Sequence, residues 1–358
     1  PMVHLLPYWD FNPGQLIDVR VCSNAPSVEV FVNETSLGRV EIDHAHGKVL
    51  FPSFQVPYEA GCIRAVAYDE NGTVIAEDMH KSFKDPARIT LKADKTEMKA
   101  DGEDLIFIEI GMEDEDGNPV ENAMDYLEVS VTGAGRLIGL DNGDSTDYDQ
   151  YKGTVRKLFN GKLLAIIGAK SEAGEIIMTV RPLQEGRVPA ETLQLSAVEA
   201  EVREGISATA ENSREVLVTG ASGMIPVRKI EIVSESGQKF DENKKDIVVG
   251  AYLYPAGAEQ KVTFSVVNDM GIESNLAEVE MLESVSDRVA GNLGVGVSNY
   301  CPLAAVCCVH AKGDGTFKLR ASVDNGTGTI KLISQLEFTV EGLGEAYLNP
   351  YEFVSGAL

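Results

Sequence analysis

The sequence predicts an all-β chain built as tandem immunoglobulin-like antiparallel β-sandwich domains. Three observations predict it: apolar and polar residues alternate at period two, turn signals recur at short intervals, and no stretch carries the spacing of an amphipathic helix. The alternation is plain in Ile17-Asp18-Val19-Arg20-Val21 and in Val28-Glu29-Val30-Phe31-Val32, each of which turns one face toward a core. Turns are expected at Asn12-Pro13-Gly14, Glu70-Asn71-Gly72, Asp116-Gly117-Asn118, Asn160-Gly161, Asp314-Gly315 and Asn325-Gly326. With 358 residues the chain exceeds one sandwich and suits two to four domains of about 100 residues each.

Boundaries are expected where the strand rhythm breaks. A first sandwich occupies residues 1–85 and ends at Lys84-Asp85-Pro86-Ala87, after which a strand restarts at Ile89-Thr90-Leu91-Lys92-Ala93. A second immunoglobulin-like sandwich occupies 86–198 and ends on the strands 163–168 and 176–181. Residues 199–224 turn polar and small, the composition of a linker. The third sandwich, 225–346, opens at Val227-Arg228-Lys229-Ile230-Glu231-Ile232 and closes at Leu336-Glu337-Phe338-Thr339-Val340. Residues 284–306 within it are rich in Gly, Ser and Asn and read as an insertion between strands, and 347–358 reads as a connector.

Composition excludes several functions. The net charge of −25, from 56 acidic against 31 basic residues, repels phosphate backbones and anionic lipid, so neither nucleic acid nor a membrane surface is an expected partner. No apolar run approaches the roughly 20 residues of a membrane-spanning helix. The five cysteines, Cys22, Cys62, Cys301, Cys307 and Cys308, lack the paired spacing of a zinc site and the density of a disulfide scaffold, and read as reduced thiols. Cys22 and Cys62 both fall on strand-like segments of the first sandwich, so a pair between them is the one disulfide the spacing leaves open. The opening Pro1-Met2-Val3-His4 has neither a basic region nor a cleavage site and reads as an excised start, which leaves the compartment undetermined. A phosphate-cradling glycine loop, a Gly-x-Ser-x-Gly elbow and a Cys-His triad are all missing, so no cofactor and no acyl chemistry are expected.

The stretch from His4 to Phe11 (His4-Leu5-Leu6-Pro7-Tyr8-Trp9-Asp10-Phe11), with Val28-Glu29-Val30-Phe31-Val32-Asn33 and Ser36-Leu37-Gly38, resembles the sandwich that follows the catalytic barrel in bacterial glycoside hydrolase family 2 β-galactosidases. Members of that family typically read Asn-Gly at the second motif; Asn33 is followed here by Glu34, so the turn is expected to differ. Asp85-Pro86-Ala87, Ala100-Asp101-Gly102-Glu103-Asp104-Leu105 and Gly139-Leu140-Asp141-Asn142-Gly143-Asp144 are similar to the next module of those enzymes. The segment from Ala311 to Ala321 resembles a bacterial immunoglobulin-like domain. The resemblance implies a parent enzyme that cleaves β-galactosides or related β-glycosides with two glutamates on an upstream barrel. This chain would then be its non-catalytic accessory region, with that barrel and a β-galactoside carbohydrate as partners. A carbohydrate- or surface-binding module is the alternative, and an independent enzyme is the third reading.

Retaining hydrolysis needs two carboxylates about 5.5 Å apart in a cleft, one of them kept protonated. The acids here fall on polar strand faces and in turns, so no catalytic residue is assigned. Trp9, the single tryptophan, and Asp10 lie where the barrel would attach. They either border its substrate cleft, an aromatic face stacking on a sugar, or pack within the sandwich; an enclosed Trp9 decides for packing. Asp141 and Asp144, with Asn142, Asp147 and Asp149, form the densest oxygen-rich loop and are the candidate ligands for a hard cation such as calcium, against an ordinary Asn-Gly turn. Asp43-His44-Ala45-His46 has a metal-compatible spacing but names no third ligand, and a polar hairpin is its other reading. Asp114 and Asp116 beside Gly117 read as a hairpin, and the glycosylation-type triplets at Asn33, Asn71 and Asn325 as turn chemistry.

Overall fold

The computed structural model describes residues 1–184, 186–202, 224–283, 303–324 and 331–345. All regular structure among them is strand. The chain divides into two compact units, Pro1–Pro226 and Val227–Leu358.

Two sandwiches make up the first unit. In the first, β1 (Val3–Leu6), β2 (Leu16–Ser23) and β5 (Ser53–Pro57) form a sheet in the order β1-β2-β5. It faces a second sheet, ordered β4-β3-β6-β7, of β3 (Ser27–Val32), β4 (Thr35–Glu41), β6 (Cys62–Tyr68) and β7 (Val74–Lys81). The predicted alternation is the packing pattern: Ile17, Val19 and Val21 are buried while Leu16, Asp18 and Arg20 are exposed. Those side chains meet Val28, Val30, Ile63 and Ala65 of the facing sheet in one core.

The second sandwich sets β8 (Arg88–Ala93), β10 (Leu105–Glu113), β12 (Gly135–Asp141) and β14 (Lys162–Ala169) against β9 (Glu97–Lys99), β11 (Tyr126–Gly133), β13 (Val155–Lys157), β15 (Gly174–Pro182) and β16 (Glu191–Val198). Its core holds Ile106, Ile108 and Ile110 of β10 against Val129, Met178 and Val180. The chain crosses from one sheet to the other between β8 and β9, and β9 then pairs parallel to β16. One opening strand thereby closes an edge of both sheets, which shields ladder groups that would otherwise be open.

In the second unit β17 (Lys229–Ser234), β19 (Asp246–Tyr254), β21 (Ala277–Met281) and β22 (Leu303–Ala311) form one sheet, and β18 (Lys239–Phe240), β20 (Thr263–Val267), β23 (Gly315–Asp324) and β24 (Lys331–Val340) form the other. Phe240, Phe317 and Phe338 fill the core between them, with ring centroids 5.6 to 6.0 Å apart. The same device recurs here: β17 joins one sheet and β18 the other, parallel to β24. Strand β22 starts at Leu303, so the last four residues of the stretch expected to be an insertion are sheet, paired to β19. The rest of that stretch, most of the linker, the connector, Cys301 and the turn at Asn325 lie outside the described residues.

Turn chemistry differs from expectation at one place. Val32 pairs with Thr35 across Asn33 and Glu34, whose φ angles are 46° and 70°, so the hairpin keeps the two-residue form with both central residues left-handed. The expectation of a different turn is therefore corrected: Glu34 occupies the position that glycine fills most easily. Asn33 holds the turn in place, its Oδ1 accepting from Cys62 N at 2.9 Å and its Nδ2 donating to the Ala60 carbonyl at 3.0 Å.

Candidate functional site

Among the described residues, chemistry beyond core packing gathers at the joint between the first two sandwiches, in the loop between β12 and β13, and on the outward face of the sheet containing β22.

The joint starts from the segment after β1. Trp9 is 0% exposed, its Nε1 donates to the Glu59 carbonyl at 2.9 Å, and its ring meets Tyr58 edge-on at 5.2 Å between centroids. Asp10 is buried beside it at 5% exposure. Both side chains are enclosed in the first sandwich, the packing arrangement of the two readings for Trp9 and Asp10: a large apolar ring beside a core is drawn into that core. Tyr8 and Phe11 stack at 5.0 Å, and Tyr8 also touches Phe83 at 6.0 Å, an aromatic contact that reaches the core of the second sandwich. His80 of β7 spans the same joint, its Nε2 lying 3.0 Å from the Leu5 carbonyl and its Nδ1 2.7 Å from Glu121 Oε1. Burial opposes the imidazolium, but the Glu121 hydrogen bond and charge, the Leu5 carbonyl and Asp78 together raise the His80 pKa. Asp114, fully buried, accepts from Lys84 N, Asp116 N and Asn118 N, tying the interdomain segment to the 114–118 turn.

Two side chains of β13 supply positive charge to the oxygen-rich loop. Arg156 and Lys157 are 0% and 2% exposed, although their strand is only three residues long. Arg156 Nε lies 3.3 Å from Asp147 Oδ2, and Lys157 Nζ lies 3.6 Å from Asp144 Oδ2. Asp144 Oδ1 accepts from Thr146 N and Oγ1, Asn142 Nδ2 donates to Asp147, and Asp141 Oδ1 accepts from Gly143 N. Burial works against the Asp144 charge, yet the two Thr146 donors and Lys157 hold that carboxyl below its usual range. While Asp141 accepts from Gly143 N in its own turn, Asp144, the other expected calcium ligand, thus belongs to an internal ion network. Three carboxylates face two cations there, and the surplus charge falls on Asp149, whose pKa rises to about 6 through burial and then through Asp147.

A raised acid beside an ionised one is the pattern of a catalytic pair, but access decides otherwise. Asp149 is 7% exposed and Asp147 is enclosed, so no sugar ring reaches them. The adjoining groove, of about 290 Å³, is open and is lined by Glu109, Asp141 and Lys162. Glu109 is half exposed and paired with Lys162 at 3.2 Å, and Asp141 caps its own turn, so neither is placed as an enclosed acid. Above the network Tyr148 and Tyr151 are 85% and 59% exposed, and the Arg156 guanidinium lies 4.5 Å below the Tyr151 ring.

The remaining candidates are local structure. His46 Nδ1 lies against Asp43 and His44 Nε2 against the Ala25 carbonyl, so the two rings serve different partners. Cys22, Cys62, Cys307 and Cys308 are free thiols. Sequence reasoning missed Arg156 and Lys157, since a charged pair on a short strand carries no sign of burial. It also missed Asp246, Cys308 and His310, one donor atom from each lying within 4.8 Å of the others. The i, i+2 spacing of Cys308 and His310 was readable as one strand face, whereas Asp246 joins them only through sheet register.

Comparison with known proteins accounts for much of this architecture. Residues 89–188 match the glycoside hydrolase family 2 C-terminal domain 5, and residues 14–76 match a family described only as a domain of unknown function. A β-galactosidase of Bacteroides ovatus is 35% identical over 181 residues, 50% of this chain and 21% of that protein. A protein of Formosa agariphila described as a putative β-glucuronidase is 27% identical over 179 residues, 49% of this chain and 17% of that protein. The crystal structure of a β-glycosidase from Bacteroides vulgatus superimposes with a TM-score of 0.50 and 32% identity, covering 55% of this chain and 24% of that one. The chain spans about a fifth of the length of the curated relatives it matches. Its all-β build and these matches agree: residues 89–188 carry a module similar to the glycoside hydrolase family 2 C-terminal domain 5, within an all-β chain half of which is similar to bacterial β-glycosidases.

Proposed function

We propose that the first two sandwiches act as a rigid brace for the catalytic barrel of a family 2 β-glycosidase, and contribute no acid or base to its chemistry. The observation that carries this reading is the joint between them. An aromatic contact from Tyr8 to Phe83, the His80 bridge from Leu5 to Glu121, and the Asp114 cap on Lys84 N restrain the connection at three points. A connection fixed in this way transmits a set distance, which a flexible linker does not. An exposed apolar run, Val49, Leu50 and Phe51, gives the first sandwich a surface suited to packing on another domain.

Two measurements test it. The isolated chain should not hydrolyse chromogenic β-galactosides or β-glucuronides; turnover above a buffer blank sinks the proposal. In the polypeptide that carries the barrel, Tyr8→Ala with His80→Ala should lower the temperature of inactivation and leave KM unchanged, whereas an unchanged inactivation temperature counts against a brace.

A second reading, carbohydrate contact, rests on Tyr148 and Tyr151, two exposed rings on a loop held from beneath by Arg156. Aromatic faces stack on the CH groups of sugars. Retardation of the chain in polysaccharide-containing gels, abolished by Tyr148→Ala, favours that reading; equal migration with and without polysaccharide removes it.

A further inference from the structure

We propose that the outward face of the sheet containing β22 binds one divalent transition-metal ion of the zinc type, through Cys308 Sγ, His310 Nδ1 and Asp246 Oδ1. Side chains alternate along β22, so Cys307 and Val309 enter the core at 0% exposure while Cys308 and His310 share the opposite face. Register then brings Asp246 of β19 opposite His310, and Glu280 of β21 opposite Cys308. Three different donor types from two neighbouring strands thereby converge, with Glu280 alongside from a third.

The distances suit a shared ion. His310 Nδ1 is the focus, 2.7 Å from Asp246 Oδ1 and 3.9 Å from Cys308 Sγ. Tetrahedral zinc with bonds of about 2.3 Å to sulfur and about 2.0 Å to nitrogen sets those two donors about 3.6 Å apart, and nitrogen and oxygen donors about 3.4 Å apart. Cys308 therefore moves in by a few tenths of an ångström and Asp246 moves back by less than about 1 Å. Asp246 is free to make that shift, with 64% of its side chain exposed. The other ring nitrogen, Nε2, lies 3.3 Å from Glu280 Oε2, the carboxylate–imidazole arrangement that orients a metal-bound histidine and raises its basicity.

Ligand chemistry selects the ion. A thiolate with an imidazole is too soft a pair for calcium or magnesium and suits zinc, cobalt or cadmium. On binding, the thiol proton passes to solvent, and Nδ1 exchanges its contact with Asp246 for a bond to the metal. An ordinary ion-pair cluster accounts for His310 between two carboxylates, but it gives no role to a thiol on the same face.

Cobalt(II) titrated into the chain, in chelator-free buffer with a non-thiol reductant, tests the site. One equivalent should produce the visible bands of four-coordination and a near-ultraviolet thiolate-to-cobalt band, both displaced by zinc. Cys308→Ser should remove the thiolate band, Cys22→Ser should leave it intact, and Glu280→Gln should weaken zinc binding about tenfold. Cys308→Ser and Glu280→Gln alter a part-buried and an exposed residue, and circular dichroism matching the parent shows that the fold persists. A thiolate band that survives Cys308→Ser, or the absence of saturable binding, overturns the proposal.

Discussion

The second and third sandwiches both set acids beside bases, the second from a loop against a short strand and the third across adjoining strands, yet one seals them inside and the other leaves them in water. Arg156, Lys157, Asp144 and Asp149 are each less than a tenth exposed, whereas Asp246 and Glu280 in the third sandwich keep 64% and 68% of their side-chain surface. Similar residue types therefore do different work. Enclosed charges must be matched, because an unpaired ion in a low-dielectric interior costs several kcal/mol, so the network acts as a rigid internal clasp. Exposed charges tolerate loss and rearrangement, which leaves their side chains available to a ligand.

Removing one buried cation should break the comparison most sharply. Arg156→Met keeps the volume and apolar stem but strands Asp147 and withdraws the support under Tyr151. We expect a loss of about 3–5 kcal/mol in urea unfolding of the first unit. A loss under about 1 kcal/mol would mean that the enclosed network is no more costly to disturb than a surface pair.

Asp149 gives the same contrast a pH signature. Its folded pKa is about 6, above the roughly 3.9 of an unfolded aspartate. The folded state therefore holds the proton more tightly. The penalty is absent below about pH 4, grows as the pH rises toward 6, and stays constant above it. Asp149→Asn, which cannot ionise, should raise the melting temperature at pH 7 and leave it unchanged at pH 3.5. Equal effects at both values would show that the carboxylate is not the source.

The fold was legible and the sites were not, for a physical reason. Alternation in Ile17 to Val21 names the buried face directly, because a strand has only two faces. The network and the Cys308 face depend instead on which strands become neighbours, and period-two patterning is silent on that. Trp9 shows the converse limit: an aromatic residue near an expected junction reads equally well as a ligand platform or as core, and only its environment separates the two. At Asn33-Glu34 strand register outweighs residue preference. The pairing of Val32 with Thr35, and the Asn33 side-chain bonds, force two left-handed residues whatever the second one is. Glu34→Gly should accordingly stabilise the first sandwich by about 0.5–1 kcal/mol, read from its unfolding midpoint. A destabilising result would mean that the 3.9 Å approach of Arg64 to Glu34 outweighs the backbone strain.

The smallest effect should come from the exposed side of the comparison. Asp246 is the first cause of the raised His310 pKa, with burial opposing and Glu280 assisting. A histidine raised in this way stabilises the fold fully below the unfolded value of about 6.5, and the contribution disappears as the pH rises through the folded value. Asp246→Asn, measured in the presence of a chelator, should therefore cost less than about 1 kcal/mol at pH 5.5 and nothing at pH 9. At 1 M salt, where the screening length falls to about 3 Å, most of that loss should vanish. A salt-resistant loss at pH 5.5 comparable to that of Arg156→Met would place Asp246 in the same energetic class as the enclosed network and remove the distinction between the two regions.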